Sequence, residues 1–457
     1  MTKLNTNIKT DIVIVGSGVS GLFCALNLPK DKNILIITKD ALENSDSYLA
    51  QGGICMMRNE ADYQSFFNDT LHAGHYENNK ESVNIMIRSS QEIIRDLVNY
   101  DVEFERDGQN FIFTKEGAHS IPRILFHQDI TGKEITSKLL RQVKALDNVE
   151  ILEYVTMLDI LEDKNQCHGI ICKTKNGELI TIEAKYTVWA SGGIGGLFKH
   201  STNFNHLTGD ALGIALKHHI GLQNIDYIQI HPTTLYTSKS GRSFLISESV
   251  RGEGAMLLNA KMERFVDELL PRDVVTKEIY KQMEIDHTPH VWLSMLPIAQ
   301  DIIMKHFPNI YEYCLNEGYD ITKECIPVVP AQHYFMGGIH VDKYSKTSMH
   351  RLYAVGETSC NGVHGSNRLA SNSLLESLVF AKRAAKHISK KILQHSPISP
   401  LITPASESLT ARLIENLDVN FYMNDQRLLN QYKHNILNEI ERMRKSHEQY
   451  LYETKCR

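Results

Sequence analysis

Four basic side chains of this chain sit in segments that could do chemistry. Arg272 follows a proline and precedes Asp273, and Arg368 lies within Ser366-Asn367-Arg368-Leu369-Ala370-Ser371-Asn372-Ser373-Leu374-Leu375-Glu376-Ser377. His231 stands in the pair His231-Pro232, and His333 opens His333-Tyr334-Phe335-Met336-Gly337-Gly338. A guanidinium is a planar fork that grips a carboxylate through two parallel hydrogen bonds, so arginine is the side chain suited to acid recognition. Among 49 lysines and arginines and 21 histidines, any one of these taken singly reads as surface or structure. A different chemistry stands near the N-terminus, in Gly16-Ser17-Gly18-Val19-Ser20-Gly21. Gly16 suits a tight turn, Gly18 a close backbone approach to pyrophosphate, and Gly21 close packing of helix on strand, with helix N–H groups free to meet phosphate. The acidic ribose ligand of the simple dinucleotide fingerprint is displaced: the next strand ends Ile37-Thr38-Lys39, with Asp40 one step late, so either Thr38 or Asp40 meets the ribose. A second glycine run, Gly193-Ile194-Gly195-Gly196-Leu197-Phe198, carries bulky Phe198 where a small residue is required, which argues against a separate nicotinamide site.

Taken in order with the run Ala50-Gln51-Gly52-Gly53, these segments resemble the flavoprotein family of succinate dehydrogenases, fumarate reductases and L-aspartate oxidases, over about residues 8 to 390. The resemblance implies an FAD site. Its cofactor-binding residues are Gly16, Ser17, Gly18, Ser20, Gly21, Thr38, Lys39, Ser45, Ala50, Gln51, Gly52, Gly53, Ala190, Gly192, Gly193, Asp210, Glu357, Ser373 and Leu374. Small residues at 51–53 and 371–374 let a flat ring approach backbone amides that stabilise a reduced flavin's negative charge. Covalent members of the family carry a histidine five residues before the matching glutamine; this chain has Asp46, so non-covalent FAD is expected.

The same resemblance assigns catalytic roles to Arg272, Glu116, His231 and His333, and substrate binding to Gln229, Ser247, Glu248 and Arg368. It implies a four-carbon dicarboxylate clamped by Arg272 and Arg368. Glu116, in Lys115-Glu116-Gly117-Ala118-His119-Ser120, decides the substrate: a carboxylate there favours an ammonium-bearing acid such as L-aspartate and would repel succinate or fumarate. The implied reaction gives iminoaspartate, with O2 (yielding H2O2) or fumarate as electron acceptor, at the first step of quinolinate and NAD formation. Quinolinate synthase is the expected partner. Arg272 is the family's acid/base residue, yet a guanidinium stays protonated, so a charge clamp is the physical expectation, with the ammonium proton passing to Glu116 or water. The alternatives are a soluble fumarate reductase with non-covalent FAD, or a flavin-binding protein without turnover.

The elements that must position these residues read as an α/β fold: a Rossmann-like FAD-binding domain with an inserted α+β capping domain and a short helical C-terminal domain. Asp11–Val15 is an apolar β-branched strand, Leu22 to Leu28 the packed side of a helix, and Asn33–Thr38 a second strand, which makes the first crossover of a parallel sheet. Helices are expected over 82–100 and 134–143, and strands over 149–188, with Asn176-Gly177 as a hairpin turn. A mixed, mostly helical stretch follows, and Leu352–Val355 returns to the core before Gly356. The expected division is 1–224 and 326–395 for the FAD-binding domain, 225–325 for the capping and substrate domain, 396–408 for a proline-rich linker, and 409–457 for the helical domain. In that last part Leu428, Tyr432, Ile436, Ile440 and Met443 recur at helical spacing and need a partner. The resemblance thins beyond the linker, where the arginine-rich helical pattern of the family is missing.

At 457 residues and 42% hydrophobic, the chain can bury a sizeable core, and its net charge of -5 without a basic block argues against nucleic acid or membrane-surface binding. Eight cysteines form no CxxC pair, so neither a metal nor an iron–sulfur cluster is expected and the thiols read as reduced. The polar N-terminus carries no signal-like apolar segment, giving the expectation of a soluble cytoplasmic protein.

Overall fold

The computed structural model describes residues 6–239, 241–394, 411–415 and 417–455; the linker expected at 396–408 lies outside them. Strand β1 (Thr6–Val15) leads through the glycine turn into helix α1 (Val19–Leu26) and strand β2 (Ile34–Thr38). β1 and β2 pair in parallel, Val149–Glu153 extends the sheet beyond β2, and Leu179–Trp189 lies parallel on the other side of β1. Leu352–Ala354 returns to pair in parallel with the end of Leu179–Trp189. The strands Gln166–Thr174 and Val155–Asp163 complete the seven-stranded sheet as an antiparallel extension. The turn at Asn176-Gly177 joins two of them, with Gly177 at φ +83.

Side chains alternate across a strand, and here the alternation sorts them into two cores. Ile12, Ile14, Ile34 and Ile36 enter one core with α1 and the helices Lys80–Asn99, Thr131–Lys144 and Asn372–Gln394. Val13, Val15, Leu35 and Ile37 enter the other. Burial on both faces explains why Ile12–Val15 and Ile34–Ile37 are unbroken apolar runs.

A second, four-stranded antiparallel sheet is built from Ile228–Leu235, Ile326–Phe335, Val291–Ser294 and Met256–Leu258. With the helix Arg272–Asp286 it encloses a third core that includes Leu235, Ile246, Val275, Ile279 and Val328. The strand Ile326–Phe335 begins just past the boundary expected at residue 325. Ile326 and Val328 pack in the third core and Phe335 in the second, so one strand ties the capping sheet to the nucleotide-binding fold.

The amphipathic C-terminal stripe finds its partner in the second core. Along the helix Asp425–Lys455, the side chains of Leu428, Tyr432, Ile436 and Ile440 are buried there. Tyr432 donates its hydroxyl to Leu158 O at 2.9 Å and lies against Gly213 of the helix Asp210–Lys217, where a Cβ would stand 2.4 Å from the Tyr432 Cβ. Among the described residues no helix is long and apolar enough to cross a membrane. Cys24, Cys55, Cys167, Cys172, Cys314 and Cys360 are buried free thiols. Truncating Tyr432→Ala removes a buried aromatic and leaves the Leu158 carbonyl unpaired, so denaturant unfolding should register a loss of about 3–5 kcal/mol.

Candidate active site

β1 ends where Gly16 turns the chain at φ +117, and a Cβ there would fall 2.1 Å from Ala190 O. Only glycine fits such a turn, which opens the first turn of α1 onto a cleft enclosing about 1230 Å³ of empty space, part of it open to solvent. Gly16, Ser17, Gly18 and Ser20 line it, and Gly21 packs below, against Gly16 O. Ser17 Oγ donates to Leu42 O at 3.0 Å and bonds Thr38 Oγ1 at 3.1 Å. Thr38 lines the cleft; Asp40 instead accepts from Ala41 N and Asn44 Nδ2 within its own turn. Lys39 reaches across to Asp210 Oδ2 at 2.7 Å and Thr208 Oγ1 at 3.1 Å. Ser45, Ala50, Ala190 and Gly192 complete this end, while Gly193 packs beneath, 2.3 Å from Glu357 Oε1 if it carried a Cβ.

Towards the other end the cleft meets Asp46, His333, Glu357, Arg368, Ser373 and Leu374. Burial, with Asp46 next, pushes the Glu357 carboxyl up to about 8, although Phe335 N donates to it at 2.9 Å. Burial likewise lifts Asp46 to about 7; its Oδ1 accepts from Phe204 N and its Oδ2 is buried without a partner. The segment 51–53 lies behind this wall. Gly53 N donates to Ser371 Oγ at 3.2 Å, its missing Cβ would sit 2.2 Å from Leu125 O, and Gln51 Oε1 is buried and unpartnered. An elongated cleft with a glycine cradle at one end and orphaned buried polar atoms at the other fits a dinucleotide cofactor, whose hydroxyls and ring edges would satisfy them.

Behind Arg368 and His333 stands a buried charged cluster. Arg272, the first residue of the helix Arg272–Asp286, donates Nε to Glu248 Oε2 at 2.5 Å and Nη1 to Gln229 Oε1 at 2.9 Å. Gln229 Nε2 then donates to Asn367 Oδ1 at 2.9 Å and to Arg368 O at 2.8 Å. One amide side chain thus joins the segments of both arginines. Arg368 lies with its guanidinium carbon 4.7 Å from the Tyr334 ring centre, gives Nη1 to Ser373 Oγ at 3.3 Å, and keeps a buried Nε with no acceptor. Burial, and then Arg272, pull its guanidinium down to about 10. His231 and His333 pack edge to face, ring centres 5.1 Å apart, on neighbouring strands whose register shifts at Gln229/Ile230 and His231/Thr234. Such bulges re-aim side chains beside a site. Burial, then Arg272, holds both imidazoles well below the usual histidine range, so both are neutral.

Glu116 is buried against this cluster. Ser249 Oγ donates to its Oε1 and Ser371 Oγ to its Oε2, each at 2.6 Å. Burial, then Glu248, raises its carboxyl above the usual range. Burial also pushes Glu248 up, but Arg272 and Arg251 overcome it and hold that carboxyl below the usual range. Ser247 caps the short helix Glu248–Gly252 through Ser249 N. Residues that sequence reasoning missed complete the cluster. Arg251, fully buried, lies 3.6 Å from Glu248, an i,i+3 spacing legible only once that segment is known to be a helix. Thr202 bonds His333 Nδ1 at 2.7 Å and Asn367 holds Gln229; no local pattern announces either.

A family profile described as an FAD binding domain matches residues 11–374. The L-aspartate oxidase of Clostridium perfringens is 52% identical over 383 residues, covering 84% of this chain and 87% of its own length. That of Clostridium acetobutylicum is 50% identical over 388 residues, 84% of this chain and 89% of its own. Among solved structures, an E. coli quinol fumarate reductase superposes with a TM-score of 0.80 at 26% identity, covering 96% of this chain and 83% of that one. The Gly16→Ala protein should purify without flavin absorbance, because the added methyl meets Ala190 O; retention of a full complement of FAD would show that the cradle lies elsewhere.

Proposed function

The chain belongs to the L-aspartate oxidases, within the FAD-binding flavoproteins, and from that premise we propose that it oxidises L-aspartate to iminoaspartate. The observation that carries the choice of substrate is the burial of Glu116 within the cluster that holds Arg272. A diacid alone would find that carboxylate repulsive; one with an ammonium on Cα finds it complementary.

In this reading Arg272 and Arg368 each take one substrate carboxylate, and the buried, unpartnered Arg368 Nε supplies a donor with no competing protein acceptor. Glu248 and Gln229 hold Arg272 by Nε and Nη1, which fixes the plane of its fork. His231 and His333, neutral, serve as N–H donors without adding charge. Glu116 orients the ammonium, and burial, which raises its carboxyl above the usual range, makes it a better acceptor for the ammonium proton than an exposed carboxylate. Arg272 acts as a charge clamp, its guanidinium donating hydrogen bonds. Bound FAD supplies two-electron acceptance, so that hydride loss from Cα and proton loss from nitrogen together leave the C=N bond. FAD would be held in the cleft without a covalent link, because Asp46 lines it where covalent relatives carry a nucleophilic imidazole. O2, giving H2O2, or fumarate, giving succinate, would serve as the final electron acceptor. The imine product hydrolyses readily in water, which favours hand-over to quinolinate synthase on the way to NAD.

Anaerobic addition of L-aspartate to the yellow protein should bleach the flavin, while D-aspartate and succinate should not; bleaching by succinate with no response to L-aspartate would instead make it a dicarboxylate dehydrogenase. Because Glu116 titrates at raised pH and works ionised, kcat/KM for L-aspartate should climb as pH rises through that pKa. The Glu116→Gln enzyme should lose that limb and fall about 30-fold or more in kcat/KM for L-aspartate, while still reducing fumarate.

A further inference from the structure

A buried network that the proposed reaction does not use lies directly beneath Glu116. Arg123 is fully buried and spends its guanidinium on one side of it: Nε and Nη2 donate to Asp62 Oδ1 at 3.2 and 3.0 Å, Nη1 to Asp69 Oδ2 at 2.6 Å, and Nη2 to Ser65 Oγ at 2.8 Å. Nη1 also meets His119 Nδ1 at 3.0 Å. A guanidinium can only donate, so Nδ1 must be a lone pair and the imidazole proton must sit on Nε2. That Nε2–H points at Ala370 O, 3.0 Å away. The next residue, Ser371, is the one whose hydroxyl holds Glu116 Oε2. His119 in turn is joined to Glu116 by its own backbone, His119 N donating to Glu116 O at 3.3 Å. The contacts close a ring: Glu116, Ser371, Ala370, His119 and back to Glu116.

We propose that His119 is a positioning residue for substrate discrimination: its Nε2–H fastens the 370–371 turn to the Glu116 loop and so sets Glu116 at the place of the substrate ammonium. The inference rests on the L-aspartate reading above. Ser371 shows why a fastening is needed. It is a non-glycine residue at φ +61, a strained conformation that persists only where surrounding contacts over-determine it. Its carbonyl accepts from Cys55 N at 3.1 Å and its hydroxyl from Gly53 N, so without the tie at Ala370 the hydroxyl keeps a backbone partner while losing its aim at Glu116. The carboxylate clamps have contacts of their own outside this ring, Arg272 through Glu248 and Gln229 and Arg368 through Ser373. Burial, then Arg123, holds His119 down at about 4, which keeps the imidazole neutral near neutral pH, while the Arg123 contact fixes its tautomer.

Two variants of the FAD-loaded enzyme test this. In His119→Gln the amide nitrogen reaches the Nε2 position and preserves the donor to Ala370 O; in His119→Asn the amide stops at the Nδ1 position and the donor is lost. Steady-state kinetics would be read for L-aspartate oxidation and, with a reduced dye as electron source, for fumarate reduction, alongside FAD content and thermal unfolding. His119→Asn should lower kcat/KM for L-aspartate by about tenfold or more, with kcat and KM for fumarate reduction within about twofold of the parent, and His119→Gln should stay close to the parent on both substrates. Equal behaviour of the two variants, equal effects on L-aspartate and fumarate, or loss of FAD from both would overturn the proposal. A parent enzyme inactive on L-aspartate would overturn the functional reading instead, which separates the two failures.

Discussion

Positive charge gathered out of water is the constraint around which this site is arranged. Arg272, Arg251 and Arg368 are all nearly or fully buried within one connected cluster, and Glu248 is the acid that directly meets Arg272 and Arg251. Removing a guanidinium from water costs several kcal/mol unless its hydrogen bonds and charge are met elsewhere. The cluster meets that cost incompletely. Arg368 is drawn down to about 10 and keeps an unpaired Nε, while two histidines are forced neutral beside it. A ligand with two carboxylates would supply the missing negative charge at both arginines.

The fold makes that gathering possible through one shared sheet. Gln229 and His231 come from one strand and His333 from its neighbour, and the second of these strands carries the chain from the capping core into the core under the nucleotide cleft. The helix Arg272–Asp286 begins at Arg272, an unfavourable place for a cation against the helix dipole, so Asp273 in the same turn and Glu248 opposite are electrostatically coherent with it. The cleft and the cluster therefore meet at a common wall, Arg368 and His333. The buried arginine cluster and the glycine-lined cleft are thus joined through one continuous strand, Ile326–Phe335.

Much of the frame was legible in the residues. The run into Gly16, the Asn176-Gly177 turn and the stripe from Leu428 to Met443 each express a local rule, and the structure has the strand–turn–helix, the hairpin and the docked helix. The choice between Thr38 and Asp40 was not legible, since it turns on which side chain the following turn consumes. Nor was the strand Ile326–Phe335, because membership in the second sheet depends on a pairing with residues about a hundred positions earlier. Arg251, Thr202, Asn367 and the Arg123–His119 pair gain their roles only from convergence in three dimensions. Their own neighbourhoods read as an ordinary helix, loop or core.

The most direct test of the central claim is a crystal structure of the FAD-loaded protein with succinate, a diacid that lacks the ammonium and should therefore bind without turnover. The account requires one carboxylate on Arg272 and the other on Arg368, with the carbon chain lying between the cluster and the cofactor. Succinate held by a single arginine, or bound away from both, would contradict it.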